Sequence, residues 1–457
     1  MSLKNLLMGL PEVKGPEEKR LGFGVKLKWT LLILIFFFIL SNIPLYGLSE
    51  NALSRFEYLS IILGASFGSI MSLGIGPIVT ASIVLQLLVG SGLLNIDMTT
   101  TEGKKFFQGL QKVLATLFCI FEAVVYVMMK GLQAVPGLEW LLIFQLFLGG
   151  LMIIFMDEVI SKWGFGNGVG LFIVSGVAWQ LCVRAFSFLG PEKTIQPVGK
   201  IPVLIVSIIN ADTIGATAAF AAIAATIIIF IIVVYTQAIK VEVPLSFGRI
   251  RGFGIRWPLA FFYTSNIPVI LTAALHANIN LMATLAERVA GHATFLGGFS
   301  AEGVAVSGLA FWFSAPPSGI IEHIIKGSFM PVMVWQSLMY ILFMIAGSIM
   351  FSIFWMKTSG MDAASQAQQI SASGLQVPGF RRDTRVIESI LSRYIMPLTV
   401  MGGAAVGLLA SLADVTGALV RGTGILLSVM IIYRLYEEIA QQHALDMHPL
   451  ARKFVAT

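Results

Sequence analysis

This chain carries little charge. Acidic and basic residues make up 12% of 457 residues against 57% hydrophobic side chains, and the mean hydropathy is +0.87. Soluble domains carry about 25% charged residues, so a soluble globule is excluded. The apolar segments are also far too long for barrel strands. Cysteine is nearly absent: Cys119 and Cys182 lie inside apolar runs without metal-ligand spacing, and read as packing residues. There is no His-Glu-x-x-His pair and no phosphate loop ending in Lys-Ser/Thr, and the five histidines are scattered. Gly164, Gly166, Gly168 and Gly170 alternate, yet no strand pattern precedes them, so they read as a sharp turn and close helix packing, not a dinucleotide loop. An enzyme is disfavoured, and no cofactor or metal is called for.

What is present is an all-α polytopic membrane protein. A crossing helix needs about 20 mostly apolar residues. Ten runs qualify: Leu27 to Leu40 with its flanks, Pro77 to Leu94, Val113 to Leu132, Leu138 to Ile160, Val169 to Leu189, Gly215 to Ile239, Leu259 to Met282, Pro331 to Met356, Ile395 to Leu412 and Gly417 to Tyr436. No small-residue cleavage site follows Leu40, so the first run is expected to be retained. Leu3, Leu6, Leu7 and Leu10 recur at helical spacing and predict an amphipathic surface helix within a cytoplasmic segment 1–23. Of the 30 basic residues, eight fall on the far side of this reading: Arg55, Lys130, Arg184, Lys193, Lys200, Arg288, Lys326 and Arg421. The other 22 lie on the side of the N-terminus, which places both termini in the cytoplasm.

Five spans precede and five follow an exterior connection at 190–212, giving halves 24–189 and 213–437 and a tail 438–457. An odd number per half makes the halves enter from opposite faces, the arrangement of an inverted repeat with a site at its interface. The echo between Pro77-Ile78-Val79-Thr80-Ala81 and Pro268-Val269-Ile270-Leu271-Thr272-Ala273 agrees. The segment Ile201 to Ile209, rich in β-branched residues, predicts an exterior strand. The stretch Ala283 to Met330 is expected to cap the outer face. Loops 241–258 and 357–393 are polar and basic, and are expected to stand out from the membrane and meet a partner.

Around Glu57 to Leu88 the pattern breaks. Tyr58 to Phe67 is apolar but about half the length of a span. It must be re-entrant, interfacial or inserted in a cavity, and the Gly-broken backbone after it needs cover from protein or water. Ile75 and Val79 share one helix face, as do Val169 and Ile173; such pairs are either ordinary packing or an apolar constriction that excludes water. Glu122 is the carboxylate well inside a span, either a proton relay or an interhelical hydrogen bond.

Four motifs then agree in order and spacing. They are Gly74-Ile75-Gly76-Pro77-Ile78-Val79-Thr80-Ala81-Ser82 with Gln86-Leu87-Leu88, Gly164-Phe165-Gly166-Asn167-Gly168-Val169-Gly170, Ser265-Asn266-Ile267-Pro268-Val269-Ile270, and Gly422-Thr423-Gly424-Ile425-Leu426-Leu427. Together they resemble the SecY family, the large (alpha) subunit of the Sec protein-conducting channel, in its archaeal form. The resemblance implies ten transmembrane helices in two inverted pseudo-symmetric halves and a short re-entrant plug helix at 57–67, with Tyr58, Ile61, Ile62, Leu63, Gly64 and Phe67. It implies a pore ring of Ile75, Val79, Val169, Ile173, Ile270 and Leu427, and a lateral gate with Thr80, Gln86, Glu122 and Asn278. Arg249, Arg251 and Arg381 match the family's docking positions for a ribosome or motor ATPase. Other implied partners are SecE-like (gamma) and beta small subunits in a heterotrimer, signal sequences, nascent polypeptides and lipid. The implied function is translocation of unfolded secretory chains across a prokaryotic cell membrane and lateral insertion of membrane proteins. The alternatives from the residues alone are an inverted-repeat secondary transporter of a small solute and a structural membrane scaffold.

Overall fold

Long apolar runs in a bilayer leave the backbone no hydrogen-bond partner but itself, and the chain is accordingly built of helices. The computed structural model describes residues 12–17, 21–51, 68–90, 93–94, 96, 101–128, 131–188, 198–247, 254–264, 267–300, 304–372, 375–376 and 383–447. The plug positions 57–67 and the leucines of the first ten residues lie outside the described residues. Two compact units divide the chain: residues 1–179 with 431–457, and residues 180–430.

The first unit holds α1 (Phe23–Ser41), α2 (Gly76–Gly90), α3 (Thr101–Met128), α4 (Glu139–Trp163) and most of α5 (Gly168–Phe186). The third span, expected over Val113 to Leu132, is displaced towards the N-terminus. Its end is cut short because Leu132 pairs with Asn51 where β1 (Leu48–Asn51) and β2 (Leu132–Ala134) form an antiparallel ladder. At the other end, amphipathic turns precede the apolar run, and Lys112 on α3 meets Glu158 on α4 at 2.7 Å. Residues 12–14 are strapped to the same corner. Val13 N donates to Glu158 at 3.1 Å, Lys162 Nζ to the Val13 carbonyl at 2.7 Å, and Trp163 Nε1 to the Lys14 carbonyl at 2.9 Å.

The second unit begins with the end of α5 and α6 (Lys200–Ile209), then α7 (Thr213–Ala238), β3 (Lys240–Phe247), β4 (Gly254–Ala260) and α8 (Ile267–Ala290). It continues through β5 (Gly298–Phe299), β6 (Ala305–Ser307), α9 (Gly308–Trp312), α10 (Gly319–Ile325), α11 (Val332–Thr358), α12 (Ala363–Ala372), β7 (Leu375–Gln376) and α13 (Thr384–Thr416). The last helix, α14 (Gly422–Met447), belongs to this unit up to Met430 and to the first unit from Ile431.

The exterior strand expected at Ile201 to Ile209 is instead α6. Pro202 sits in its first turn, where the missing N–H is no loss. The helix packs on α7 with Pro202 and Ser207 buried, so tertiary packing overrides the β-branched preference. Asp212 then caps α7, its carboxylate accepting from Gly215 N at 3.1 Å.

Span boundaries near the basic loops also move. Leu259, expected to open the seventh span, lies in β4, and α8 starts at Ile267. The ninth helix starts at Thr384 rather than Ile395. Asp383 caps it by accepting from Arg385 N at 2.9 Å, and Ile387, Leu391 and Ile395 bury one face at one-turn spacing. Gly417 (φ 78°) closes α13, so the tenth helix starts at Gly422, not Gly417. The two basic loops fold around a shared core. β4, β3 and β7 form one antiparallel sheet. Val243, Leu259 and Tyr263 pack with Met356, Ala367, Ile370, Ile387 and Leu391.

By length and composition, 8 helices among the described residues can cross a membrane. Two more complete the ten: α2, with 15 residues, and α14, whose second half carries Arg434, Glu437 and Glu438.

An ion cluster ties α10 to the start of α6. Glu322 is salt-bridged to Lys326 and lies 3.3 Å from Lys200. Burial pushes the Glu322 carboxyl up, but the hydrogen bond from Lys326 and the charge of Lys200 outweigh it and hold it below the usual glutamate range. The tie is therefore complete above pH about 4.3, the unfolded glutamate value, and is lost as pH falls through the depressed folded value. Amide exchange of 319–325, corrected for intrinsic chemistry, is expected to accelerate over that descent, and Glu322→Gln to abolish the step. A flat corrected profile in the unsubstituted protein contradicts the tie.

Candidate functional site

The segment before α2 is bent tightly and pinned on both sides. Ile70 N donates to the Ile43 carbonyl at 3.0 Å and Leu45 N to the Gly68 carbonyl at 2.9 Å. Gly68 N donates to Ser72 Oγ at 2.9 Å and Met71 N to Ser69 Oγ at 3.1 Å. A turn at Gly74 (φ 56°) then delivers Ile75, and Pro77 stands in the first turn of α2, where its fixed φ suits helix entry. Met71, Leu73 and Ile75 are fully buried. The irregular backbone over 71–75 is thus covered by protein, the condition under which non-helical backbone is tolerated at membrane depth.

Of the six proposed ring positions, the first unit carries four. Ile75 is buried and Val79, one turn on, half-buried; Val79 N donates to the Ile75 carbonyl at 3.0 Å. Val169 is half-buried at the start of α5, and Ile173 is 1% exposed one turn later. The Gly-rich turn before α5 is held by side chains. Phe165 N donates to Thr30 Oγ1 at 3.0 Å, and Gly170 N to Asn167 Oδ1 at 3.2 Å. Phe172 stacks on Phe37 of α1 with ring centres 4.7 Å apart. The second unit carries the other two: Ile270, half-buried in the first turn of α8, and Leu427, fully buried in α14.

Of the gate positions, the structure joins Thr80 and Glu122. The Thr80 hydroxyl on α2 hydrogen-bonds the Glu122 carboxyl on the adjacent α3, so the lone mid-span carboxylate has a partner. The side chains of Gln86 and Asn278 lie outside the described residues, as do Arg249, Arg251 and Arg381 entirely. In the described part of the β3–β4 hairpin, Arg256 pairs with Glu242 at 2.8 Å.

Two buried polar groupings in the second unit went unread in the sequence. His276 Nε2 lies 3.1 Å from Asn280 Nδ2 and 3.3 Å from Ser314 Oγ. The run His276-Ala277-Asn278-Ile279-Asn280 inside an apolar span was the available signal, since polar groups there require partners. Tyr340 donates its hydroxyl proton to Asp414 Oδ2, and Gly422 N donates to Asp414 Oδ1 at 2.7 Å. Asp414 lies close to its span end in sequence, and the structure buries it beside Tyr340 of α11 and the start of α14.

Ten apolar helices, with short β-branched and leucine side chains presented near the starts of four of them, define a polytopic membrane protein of the channel class. Comparison with known proteins narrows this to one family. The SecY family profile matches residues 69–436, and the profile for the plug domain of Sec61p matches residues 35–68. The protein translocase subunit SecY of Methanothermobacter thermautotrophicus is 45% identical over 452 residues, covering 98% of this chain and 96% of that one. That of Methanococcus vannielii is 40% identical over 459 residues, covering 100% and 99%. A solved protein-conducting channel superposes with a TM-score of 0.80 at 38% identity, covering 98% and 99% of the two chains. Sec61 from the canine ribosome–channel complex of the endoplasmic reticulum gives 0.77 at 38%, with the same coverage. The chain belongs to the SecY family, and its fold is that family's ten-helix fold with a plug.

Proposed function

We propose that the protein is the pore-forming subunit of a passive, gated channel that carries unfolded secretory chains outward and releases apolar segments sideways into lipid. The observation that carries this reading is the burial of Ile75 and Ile173 near the starts of α2 and α5, beside a turn whose residues 71–75 are buried. With Val79, Val169, Ile270 and Leu427 they would form the ring. The plug at 57–67 closes it from outside, and Thr80, Gln86, Glu122 and Asn278 line the gate. Membership of the family sets the carrier alternative aside.

Both termini are cytoplasmic in this reading. Loops 241–258 and 357–393 then face a ribosome or a motor ATPase, with Arg249, Arg251 and Arg381 as contacts. The partner supplies the energy and this chain catalyses no reaction. Gamma and beta small subunits complete a heterotrimer. A relative solved in a ribosome–channel complex supports the docking side.

The test is a photo-crosslinking residue at position 75 or 173 in the active complex. A stalled translocating chain is expected to be captured at both positions, and at neither without the stalled chain. Failure at both positions in a complex that still translocates would remove the ring.

A further inference from the structure

The helices that carry ring positions at the ends of the two halves begin in the same way. In the first unit, Val169 N at the start of α5 donates to Asp157 Oδ1 at 3.0 Å, and the Gly168 amide also hydrogen-bonds that carboxylate. In the second, Gly422 N, the first residue of α14, donates to Asp414 Oδ1 at 2.7 Å. In each case the acceptor comes from the preceding long helix, α4 or α13. These are the fourth and fifth helices of the ten, and the ninth and tenth. The arrangement repeats once per half, although no sequence motif is shared: Asp157 precedes its amide partner by 12 residues and Asp414 by 8.

The first amides of a helix have no acceptor within it. An aspartate oxygen supplies that acceptor, and a buried amide left without one carries its full desolvation cost. Within apolar surroundings few alternatives exist, so the bond holds each helix at one axial setting against its neighbour. The setting matters because one residue of slip turns a helix by about 100° and moves it about 1.5 Å. Val169 is the residue whose own amide is held. Ile173 follows one turn later, and Leu427 lies in the second turn after Gly422. Slip of either helix would turn these side chains off the ring. Both sites carry further supports. A Cβ on Gly168 would lie 2.6 Å from Asp157 Cα, so α4 and α5 approach as closely as glycine allows. The second oxygen of Asp414 accepts from Tyr340 on α11.

We propose that Asp157 and Asp414 are positioning residues of the constriction, each holding the last ring-bearing helix of its own half in axial register. The proposal rests on the ring assignment given above.

The test uses the full-length protein with its co-purifying subunits in vesicles, with crosslinkers at position 173 or 427 and a stalled chain. Loss of the Asp157 hydrogen bonds in Asp157→Ala is expected to lower capture at 173 and to raise resting ion leak, each by about tenfold. Capture at 427 stays within about twofold, and Asp414→Ala does the reverse. Asp157→Asn and Asp414→Asn, which keep the Oδ1 acceptor, retain near-normal capture and a low leak. Unchanged capture and leak in the alanine variants overturns the proposal, and so does an asparagine variant that behaves like its alanine counterpart. Should Asp157→Ala not accumulate as folded protein, Gly168→Ala presses on the same contact, and wild-type behaviour there also overturns it. Missing capture in the unsubstituted protein removes the ring and this proposal together, whereas normal capture with unaffected variants removes the positioning role alone.

Discussion

Replacing Ile75 and Ile173 together by asparagine is expected to leave the resting channel open to ions, with conductance in planar bilayers well above that of the unsubstituted protein. Both side chains are essentially inaccessible, at 0% and 1% exposure. Each contributes roughly 1.5–3 kcal/mol by burial. A constriction of this kind closes by excluding water from between apolar walls. An unpartnered buried amide costs about 1–3 kcal/mol on protein scales, and hydration is the simplest way to relieve it. In the proposed ring, the double substitution therefore removes attraction between apolar walls and adds a reason for water to enter. Ile75→Leu with Ile173→Leu preserves volume and apolarity, costs under about 1.5 kcal/mol per site, and should stay closed. A double asparagine variant that is as tight as the leucine variant would mean that the seal lies elsewhere, in the plug for example.

The second large effect concerns packing rather than the pore. Gly149 on α4 faces the segment that leads to Ile75, and a Cβ there would lie 1.9 Å from the Ile70 carbonyl oxygen and 3.1 Å from Ile70 Cγ2. The obstacle is backbone, held by the hydrogen bond from Ile70 N to Ile43, so no rotamer change relieves it. Overpacking of this kind costs about 1–3 kcal/mol for one added carbon and more for larger side chains. Gly149→Ala should lower the temperature of irreversible aggregation in detergent by several degrees, and Gly149→Leu should prevent folded protein from accumulating. Full recovery of Gly149→Leu with an unchanged transition would show that α4 and this segment do not approach so closely. Close backbone approach through small residues is the usual basis of helix association where lipid offers no hydrophobic drive.

The sequence was most legible where physics leaves few choices. The scarcity of charge, the ten long apolar runs and the basic asymmetry together determine a polytopic helical membrane protein. The motifs around Ile75, Val169, Ile270 and Leu427 sufficed to indicate the family, which the comparisons bear out. A lone carboxylate in an apolar span needs a partner, and Glu122 has one in Thr80. The structure departs from the sequence pattern where local preference and tertiary packing disagree. Ile201 to Ile209 favours a strand by composition, yet forms α6 because it packs along α7. α13 begins before the apolar run that hydropathy marks, because hydropathy follows lipid contact, whereas Ile387 and Leu391 are buried in a protein core beside β3 and α12. Loops 241–258 and 357–393 are polar and basic in sequence, and their sparse apolar residues pack together with Leu259, Tyr263, Met356, Ile395 and Leu398.

By itself, then, the sequence determined which segments cross the membrane and which family they belong to, because burial in lipid is a property of each segment separately. Only the tertiary structure decided what Asp157 and Asp414 touch. Near a helix end in sequence, a carboxylate can be capped, paired or solvated. Each becomes an anchor only because the next helix returns beside it, setting an unsatisfied N-terminal amide 3.0 or 2.7 Å from its oxygen. That juxtaposition depends on the path of the turn between two helices, which hydropathy does not encode.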